Sequence, residues 1–428
     1  MKKNYYQDHA RIAEGNYVHI NYLNNSIILL DEVTHDAYEN IDDVSSLESS
    51  FPQLYKLLFD NGFIVSDIFD ELSFADMSRH FEQYDRTLYH VNVNPTLDCN
   101  LSCWYCYENR KMGSKMGNSV VEGIKKMIHN HYDFMPFKSL KLSFFGGEPF
   151  VQYGVINELV DYSKKFCDKN GIALMLDFTT NGTLITKSEI VKLSRFACQF
   201  QITLDGCREQ HNKVKFSTNK SFDSYKRTIE NVKLIQREIP GAYIFLRINF
   251  DSVTLTNFDD ILSDIDDLDR RKTTVILKRI WQVKQGVVAK NDILSAINKL
   301  FAKGFIVDYY SQGKLCFGER VNEVVVNYDG NVFKCTTIDD FNETNSFGKL
   351  DCDSGKVFWN QMKLAESVAE LRLSKCKKCK QYPSCYGPCN NHILAGKDNC
   401  YMDGLDLSKE EYFTYLLLAE YQKTIVLC

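Results

Sequence analysis

The sequence predicts an α/β protein: a partial (β/α)6 barrel in the middle, a small α+β domain before it, and a cysteine-rich part after it. Three observations carry this reading. Between Tyr89 and Trp281, short apolar runs alternate with longer helical patterns, as repeated βα units on a parallel sheet require. Ahead of them, two alternating runs flank a pair of asparagines, and behind them cysteines crowd between Cys316 and Cys400. At 428 residues, 44% hydrophobic and 25% charged, the chain can bury two or three domain cores.

In residues 1–88, Tyr17–Leu23 and Ile27–Leu30 read as a hairpin turned at Asn24-Asn25, because asparagine tolerates positive φ. Helical patterns follow at Asp31–Ile41 and Pro52–Asp60, the second closing on Asn61-Gly62, and Phe63–Val65 reads as a third strand. No cluster of His, Cys or paired carboxylates is legible here. The domain therefore reads as a binding module or a packing extension of its neighbour.

Residues 89–285 supply six strand patterns, Tyr89–Asn94, Leu140–Phe145, Ala173–Thr179, Gln199–Leu204, Tyr243–Phe250 and Thr274–Ile280. Helical patterns lie between them at Ser119–Tyr132, Tyr153–Lys169, Lys187–Phe196, Phe222–Glu238 and Phe258–Asp267. Chemistry in such a barrel sits at the carboxyl ends of the strands. Residues 286–315 read as a helical bridge, 316–405 as the cysteine-rich domain, and 406–428 as a closing helix, Ser408–Leu427, capped by Ser408 with Glu410 and Glu411 in its first turn.

The net charge of −5 gives no basic field for nucleic acid or an anionic membrane. The polar start, Met1 to His9, has no apolar signal core, and no run approaches the roughly 18 apolar residues of a membrane helix. The expected location is the cytoplasm, with neither membrane nor nucleic acid as partner. There, fifteen cysteines point to metal or redox chemistry and not to a disulfide framework.

Their spacing says which chemistry. Cys99, Cys103 and Cys106 form Cys-x3-Cys-x2-Cys directly after the first barrel strand. Three thiolates can hold a 4Fe–4S cubane with one iron left open; a zinc loop or three buried thiols are the alternatives. Gly146-Gly147-Glu148-Pro149 ends the second strand, where two glycines permit close backbone approach and a carboxylate can accept from an ammonium group. Together these motifs resemble the radical S-adenosylmethionine (SAM) superfamily. The resemblance implies SAM on the open iron, Gly146, Gly147, Glu148 and Pro149 around its amino group, and Tyr105 as the adenine contact. Asn181 in Thr180-Asn181-Gly182 and Thr203 in Thr203-Leu204-Asp205-Gly206 stand where relatives place polar groups beside the ribose and carboxylate. Lys215, in His211-Asn212-Lys213-Val214-Lys215, stands where relatives often carry an arginine, and a lysine cannot make its bidentate fork. Arg247 is a possible substitute.

Farther on, Cys316, thirteen residues, Gly330, four residues and Cys335 are followed by Cys376-x2-Cys379-x5-Cys385-x3-Cys389 and Cys400. This resembles the SPASM modules appended to many radical SAM enzymes. It implies two auxiliary 4Fe–4S clusters, three in all, one on Cys376, Cys379, Cys385 and Cys400 and the other on Cys316, Cys335 and Cys389. Seven cysteines for eight ligand positions leave one iron open or call for another ligand, with Cys352 nearest in sequence. Cys167, Cys198, Cys207 and Cys428 read as plain thiols. No catalytic base is legible.

The resemblance extends to peptide maturases whose amino-terminal domain binds a leader along a strand edge; Tyr17–Leu23 and Phe63–Val65 are the expected edges. It implies a precursor peptide with a leader as substrate, a flavodoxin- or ferredoxin-type reductant, and a crosslink as product, thioether favoured over carbon–carbon. A sulfatase-maturing enzyme, a peptide epimerase and a non-catalytic electron carrier are the alternatives. Sulfatase maturases usually carry Asp after the second auxiliary cysteine, and here Thr336 follows Cys335.

Overall fold

The computed structural model describes residues 1–427 apart from 13–14, 218–220, 283–287, 311–314, 370, 372 and 398. Contacts divide the chain into two compact units. One contains Met1–Tyr84, Tyr310–Glu319 and Ala369–Cys428, the other Asp85–Tyr309 and Arg320–Val368. The stretch 316–405 is thus divided between them.

In the first unit, strands β1 (Gln7–Arg11), β2 (Tyr17–Asn21) and β3 (Ser26–Leu30) form an antiparallel sheet. Asn25 takes the left-handed conformation, φ 60°, in the turn between β2 and β3. β1 has a polar sequence, Gln-Asp-His-Ala-Arg, and carries no strand signal of its own. Its presence changes the edges: β2 is the central strand, so Tyr17–Leu23 is not an edge, and the edges are β1 and β3. Ile64–Val65 is already paired on one side, with Lys2–Lys3. Helix α1 (Glu32–Glu39) starts at Asp31, whose side chain accepts from Thr34 N. Ile28, Leu30, Tyr38, Leu47, Leu58 and Phe63 form a core of their own for this domain.

Helix α2 (Glu71–Gln83) and the carboxy-terminal part complete the unit. Tyr382 donates to Asp76 Oδ1 (2.6 Å), and Ser384 Oγ donates to the Tyr22 carbonyl (2.9 Å). The closing helix runs Lys409–Leu427, and Ser408 caps it reciprocally: its N–H donates to Glu411 Oε2 (2.7 Å) and its Oγ accepts from Glu411 N (3.3 Å).

The second unit is built on seven parallel strands in chain order: β4 (Leu88–Asn94), β5 (Ser139–Phe144), β6 (Ala173–Thr180), β7 (Ala197–Leu204), β8 (Ala242–Phe250), β9 (Thr273–Arg279) and β10 (Ile306–Asp308). The six expected strands are present, and β10 adds a seventh within the segment read as a helical bridge. Against the other side of β4 lies β11 (Glu323–Asn327), also parallel, followed by an antiparallel ribbon of Asn331–Phe333, Gly348–Asp351 and Lys356–Trp359. Register places Phe144, Phe178 and Phe200 side by side on β5, β6 and β7, all fully buried, with ring centroids 5.5 and 4.9 Å apart. This aromatic layer fixes the sheet beneath the strand ends, where the motif residues project.

Candidate active site

After β4 the chain enters the loop of Cys99, Cys103 and Cys106. Ser102–Cys103 pairs antiparallel with Lys215–Phe216, which places Lys215 directly opposite Cys103. All three thiols line one cavity of about 200 Å³ at the carboxyl ends of the strands. Burial pushes Cys99 up to about 11 and Cys103 up to about 12, and raises Cys106 as well. A metal centre would supply the positive charge that offsets thiolate formation here, so the donor set fits an iron–sulfur cluster.

Gly146 and Gly147 form part of the same wall. A Cβ on Gly146 would lie 2.3 Å from the Thr96 carbonyl oxygen, and one on Gly147 would lie 2.3 Å from that of Asp98. No side chain fits either position. Through this approach Gly147 N donates to Thr96 O (3.2 Å) and Glu148 N to Asp98 O (2.9 Å), docking the segment onto the root of the cysteine loop.

Glu148, expected beside the SAM amino group, has its carboxylate engaged within the protein. It is fully buried, and its carboxylate accepts from Thr180 Oγ1 (2.7 Å), Phe150 N (3.1 Å) and Asn181 N (2.7 Å). Neither Glu148 nor Pro149 lines the cavity; both lie behind its wall. Glu148 acts on the site through Asn181, which it holds in place. The Asn181 side chain donates to Asn100 Oδ1 (2.9 Å), joining the end of β6 to the cysteine loop. Periodicity and spacing could not show this satisfied carboxylate, because its partners lie 32 and 33 residues on.

Tyr105, Thr203 and Lys215 line the cavity. Tyr105 OH donates to Asp205, and Asn249 Nδ2 donates to that hydroxyl (2.9 Å) and to Asp205 Oδ1 (3.2 Å). Lys215 Nζ donates to the Thr203 carbonyl (2.8 Å) and lies 3.3 Å from Asp205 Oδ2, both side chains almost wholly buried. Lys215 is thus engaged within the protein. Arg247 reaches the cavity from β8, where its Nε donates to Asn249 Oδ1 (2.9 Å). Asn249, Glu108 and Arg279 also line it, and the motifs did not point to them. Asn249 and Arg279 stand near the ends of β8 and β9, and strand-end position is the signal that could have found them. Burial pushes Glu108 up to about 7.

The carboxy-terminal cysteines belong to both units. Burial raises the Cys385 thiol, and Cys400, Cys376 and Cys379 push it the same way. Gly387, at φ 77°, lets the chain pass Cys376, whose Sγ would lie 3.0 Å from a Cβ there. Cys316 and Cys389 lie in the first unit and Cys335 in the second. Cys335 Sγ accepts from Thr337 N (3.2 Å). Cys352 sits in the second unit against helix α3 (Asn118–Phe134): a Cβ on Gly123 would meet its Cα at 2.9 Å, and Lys126 reaches its carbonyl. Cys167, Cys198 and Cys207 are buried, and Cys428 lies outside the described residues.

One expectation for the amino-terminal domain is overturned. His9, His19, His35 and Glu39 do gather there, from positions too dispersed in sequence to read as a motif. Among the described residues, no helix is long and apolar enough to cross a membrane.

Comparison with known proteins agrees with this geometry. Residues 93–265 match the family model of the Radical SAM superfamily. A cysteine-type anaerobic sulfatase-maturating enzyme of Clostridium novyi (strain NT) is 26% identical over 336 residues, 69% of this chain and 86% of that protein. An Fe-coproporphyrin III synthase of Methanosarcina barkeri (strain Fusaro / DSM 804) is 25% identical over 391 residues, 78% of this chain and 92% of that protein. Among solved structures, native anSMEcpe with bound AdoMet and Cp18Cys peptide superposes with a TM-score of 0.56 at 19% identity, covering 79% of this chain and 99% of that one. Such a domain implies SAM and a 4Fe–4S cluster. With three cysteines and the Gly146-Gly147 wall around one cavity, residues 93–265 are a radical SAM domain and the chain is an enzyme of the radical SAM class.

Proposed function

We propose that the chain is a peptide maturase that abstracts a hydrogen from a ribosomally made precursor and installs an intramolecular crosslink, a thioether in preference to a carbon–carbon bond. The observation that carries this is the amino-terminal domain, which has its own core and an edge strand, β3, with Leu29 49% exposed. A leader could add to that edge, taking affinity from backbone hydrogen bonds and specificity from alternate side chains. Relatives of similar likeness are named for sulfatase maturation and for coproporphyrin chemistry, so the substrate class must come from parts outside the barrel. The peptide bound to anSMEcpe is consistent with a peptide substrate.

Cys99, Cys103 and Cys106 would hold the SAM-binding cluster, and that cluster with SAM would supply a 5′-deoxyadenosyl radical. Gly146, Gly147, Tyr105, Asn181 and Thr203 would shape the SAM pocket, while Glu148 and Lys215 hold its wall and floor. Cys376, Cys379, Cys385 and Cys400 would carry one auxiliary cluster, and Cys316, Cys335 and Cys389 the other, accepting substrate electrons or binding a substrate thiolate. A flavodoxin or ferredoxin of the cytoplasm would provide the electron. The formylglycine alternative rests on the sulfatase-maturating relative; Thr336 after Cys335 weighs against it.

The test is incubation of the reconstituted enzyme with SAM, reductant and a precursor peptide encoded beside it. The expected product has lost two hydrogens and one alkylatable cysteine. Abundant 5′-deoxyadenosine with an unchanged peptide mass would overturn the reading, and conversion of Cys or Ser to an aldehyde would favour formylglycine formation.

A further inference from the structure

We propose that the amino-terminal domain contains a site for a divalent transition metal such as Zn²⁺, with His9, His19 and Glu39 as ligands and His35 as the residue that positions His19. This site is independent of the cysteine clusters and of the proposed peptide chemistry.

The geometry follows from two periodicities. His9 on β1 and His19 on β2 are directly opposed partners of the antiparallel ladder, so both side chains leave the same face of the sheet. His35 and Glu39 stand four residues apart on α1 and therefore share a helix face. The two faces meet. Ring centroids lie 5.1 Å apart for His9 and His19, and 4.8 Å apart for His9 and His35. His9 Nδ1 is 3.5 Å from Glu39 Oε1, and one ligand atom each from His9, His19 and Glu39 lie within 4.8 Å of one another. Ligands at zinc distances of about 2.0–2.2 Å on a tetrahedral ion are roughly 3.3 Å apart. The first pair is already near that spacing, and rotamer adjustment of up to about 1.5 Å closes the set.

The supporting contacts also suit a metal. His19 and His35 share a hydrogen bond between Nε2 and Nδ1 (3.0 Å), which orients the buried ring; with His19 Nε2 donating, its Nδ1 is left to a metal, as for metal-bound histidines held by an outer partner. His35 is itself stacked on Tyr17, 3.5 Å between centroids and 5° from parallel. Lys3, the nearby cation, is bound to the Glu39 carbonyl (3.0 Å) and leaves that carboxylate to the site. Nitrogen and oxygen donors select Zn²⁺ and its neighbours, whereas the thiolate sites select iron–sulfur clusters. An ion here would tie the β1–β2 hairpin to α1.

The test uses the full-length protein with its clusters reconstituted, stripped with a chelator, desalted and given Zn²⁺ alone. The expected result is one zinc per chain by mass spectrometry, with only nitrogen and oxygen scatterers in zinc-edge X-ray absorption. His9→Ala and Glu39→Gln alter partly exposed side chains and should fold; each should lose the zinc at unchanged iron content and circular dichroism. His35→Ala should weaken binding about 10–100-fold without abolishing it, the effect of an outer partner. Sulfur scatterers, no zinc in the wild type, or equal zinc in wild type, His9→Ala and Glu39→Gln would each overturn the proposal.

Discussion

The loop of Cys99, Cys103 and Cys106 hangs from the end of β4 within seven parallel strands, whereas Cys376, Cys379, Cys385 and Cys400 sit among turns and helices of four or five residues. In the first region the protein holds its own shape: Glu148 is bonded three times, Gly147 meets Asp98 O, and Lys215 lies across the ladder from Cys103. In the second, helices so short cannot persist by themselves, and none of the four cysteines stands on a strand. One cluster would occupy a preformed frame. The other would complete its own.

The sharpest way to break this comparison is to remove one thiol from each region. Cys103→Ala should abolish reductive SAM cleavage while leaving the amides of β4–β9 protected from hydrogen exchange. Cys379→Ala should do the reverse: 5′-deoxyadenosine still forms, the peptide product is lost, and amides between Ser374 and Tyr401 exchange freely. Protection of those amides in Cys379→Ala would show that the second region does not depend on its metal.

The preformed frame can be weakened without touching a ligand. Lys215→Met leaves Asp205 buried without its ion-pair partner, at a cost of about 3–5 kcal/mol. Iron retention and the denaturation midpoint should both fall, by more than for Lys213→Met, whose partner Glu209 is exposed. Gly147→Ala forces a methyl against the Asp98 carbonyl, at a cost of about 3 kcal/mol, the upper part of the overpacking range. It should loosen the cysteine loop and weaken SAM binding, whereas Gly154→Ala, with nothing within 4 Å, should do neither.

Much of the frame could be read from residues alone. The six barrel strands follow from periodicity, because parallel strands between helices must be apolar and short; the motif residues at their ends are singled out by family resemblance, not by periodicity. What could not be read is what needs a partner distant in sequence. β1 becomes a strand only because β2 offers it a ladder, which moved the expected edge from β2 to β3. β10 is three residues long, too short for a pattern. Glu148 reads as a ligand from its motif, and its burial and hydrogen bonds to Thr180 and Asn181 are visible only in the fold. The histidines of the amino-terminal domain are spread over two strands and a helix, so no spacing unites them.

The smallest expected effect tests whether the frame relies on buried neutral groups. His211, in the short helix Arg208–Val214 after β7, is fully buried; its Nδ1 accepts from Asp205 N (3.2 Å), and its Nε2 has no hydrogen-bond partner. Protonation would set an N–H against another N–H and bury a charge beside Lys215, so the pKa is held down to about 3. In the unfolded chain it is near 6.5, so the unfolded state binds the proton more readily between these values. The contribution is present above 6.5 and is lost as pH falls towards 3, amounting to about 2 kcal/mol at pH 5. His211→Asn keeps an acceptor near the Nδ1 position and cannot be protonated. Exchange at β7 and at Asp205, corrected for intrinsic rate, should accelerate between pH 7 and pH 5 about thirtyfold more in the wild type than in the variant. Equal acceleration in the two proteins would place the acid sensitivity of this region in its cysteine loop instead.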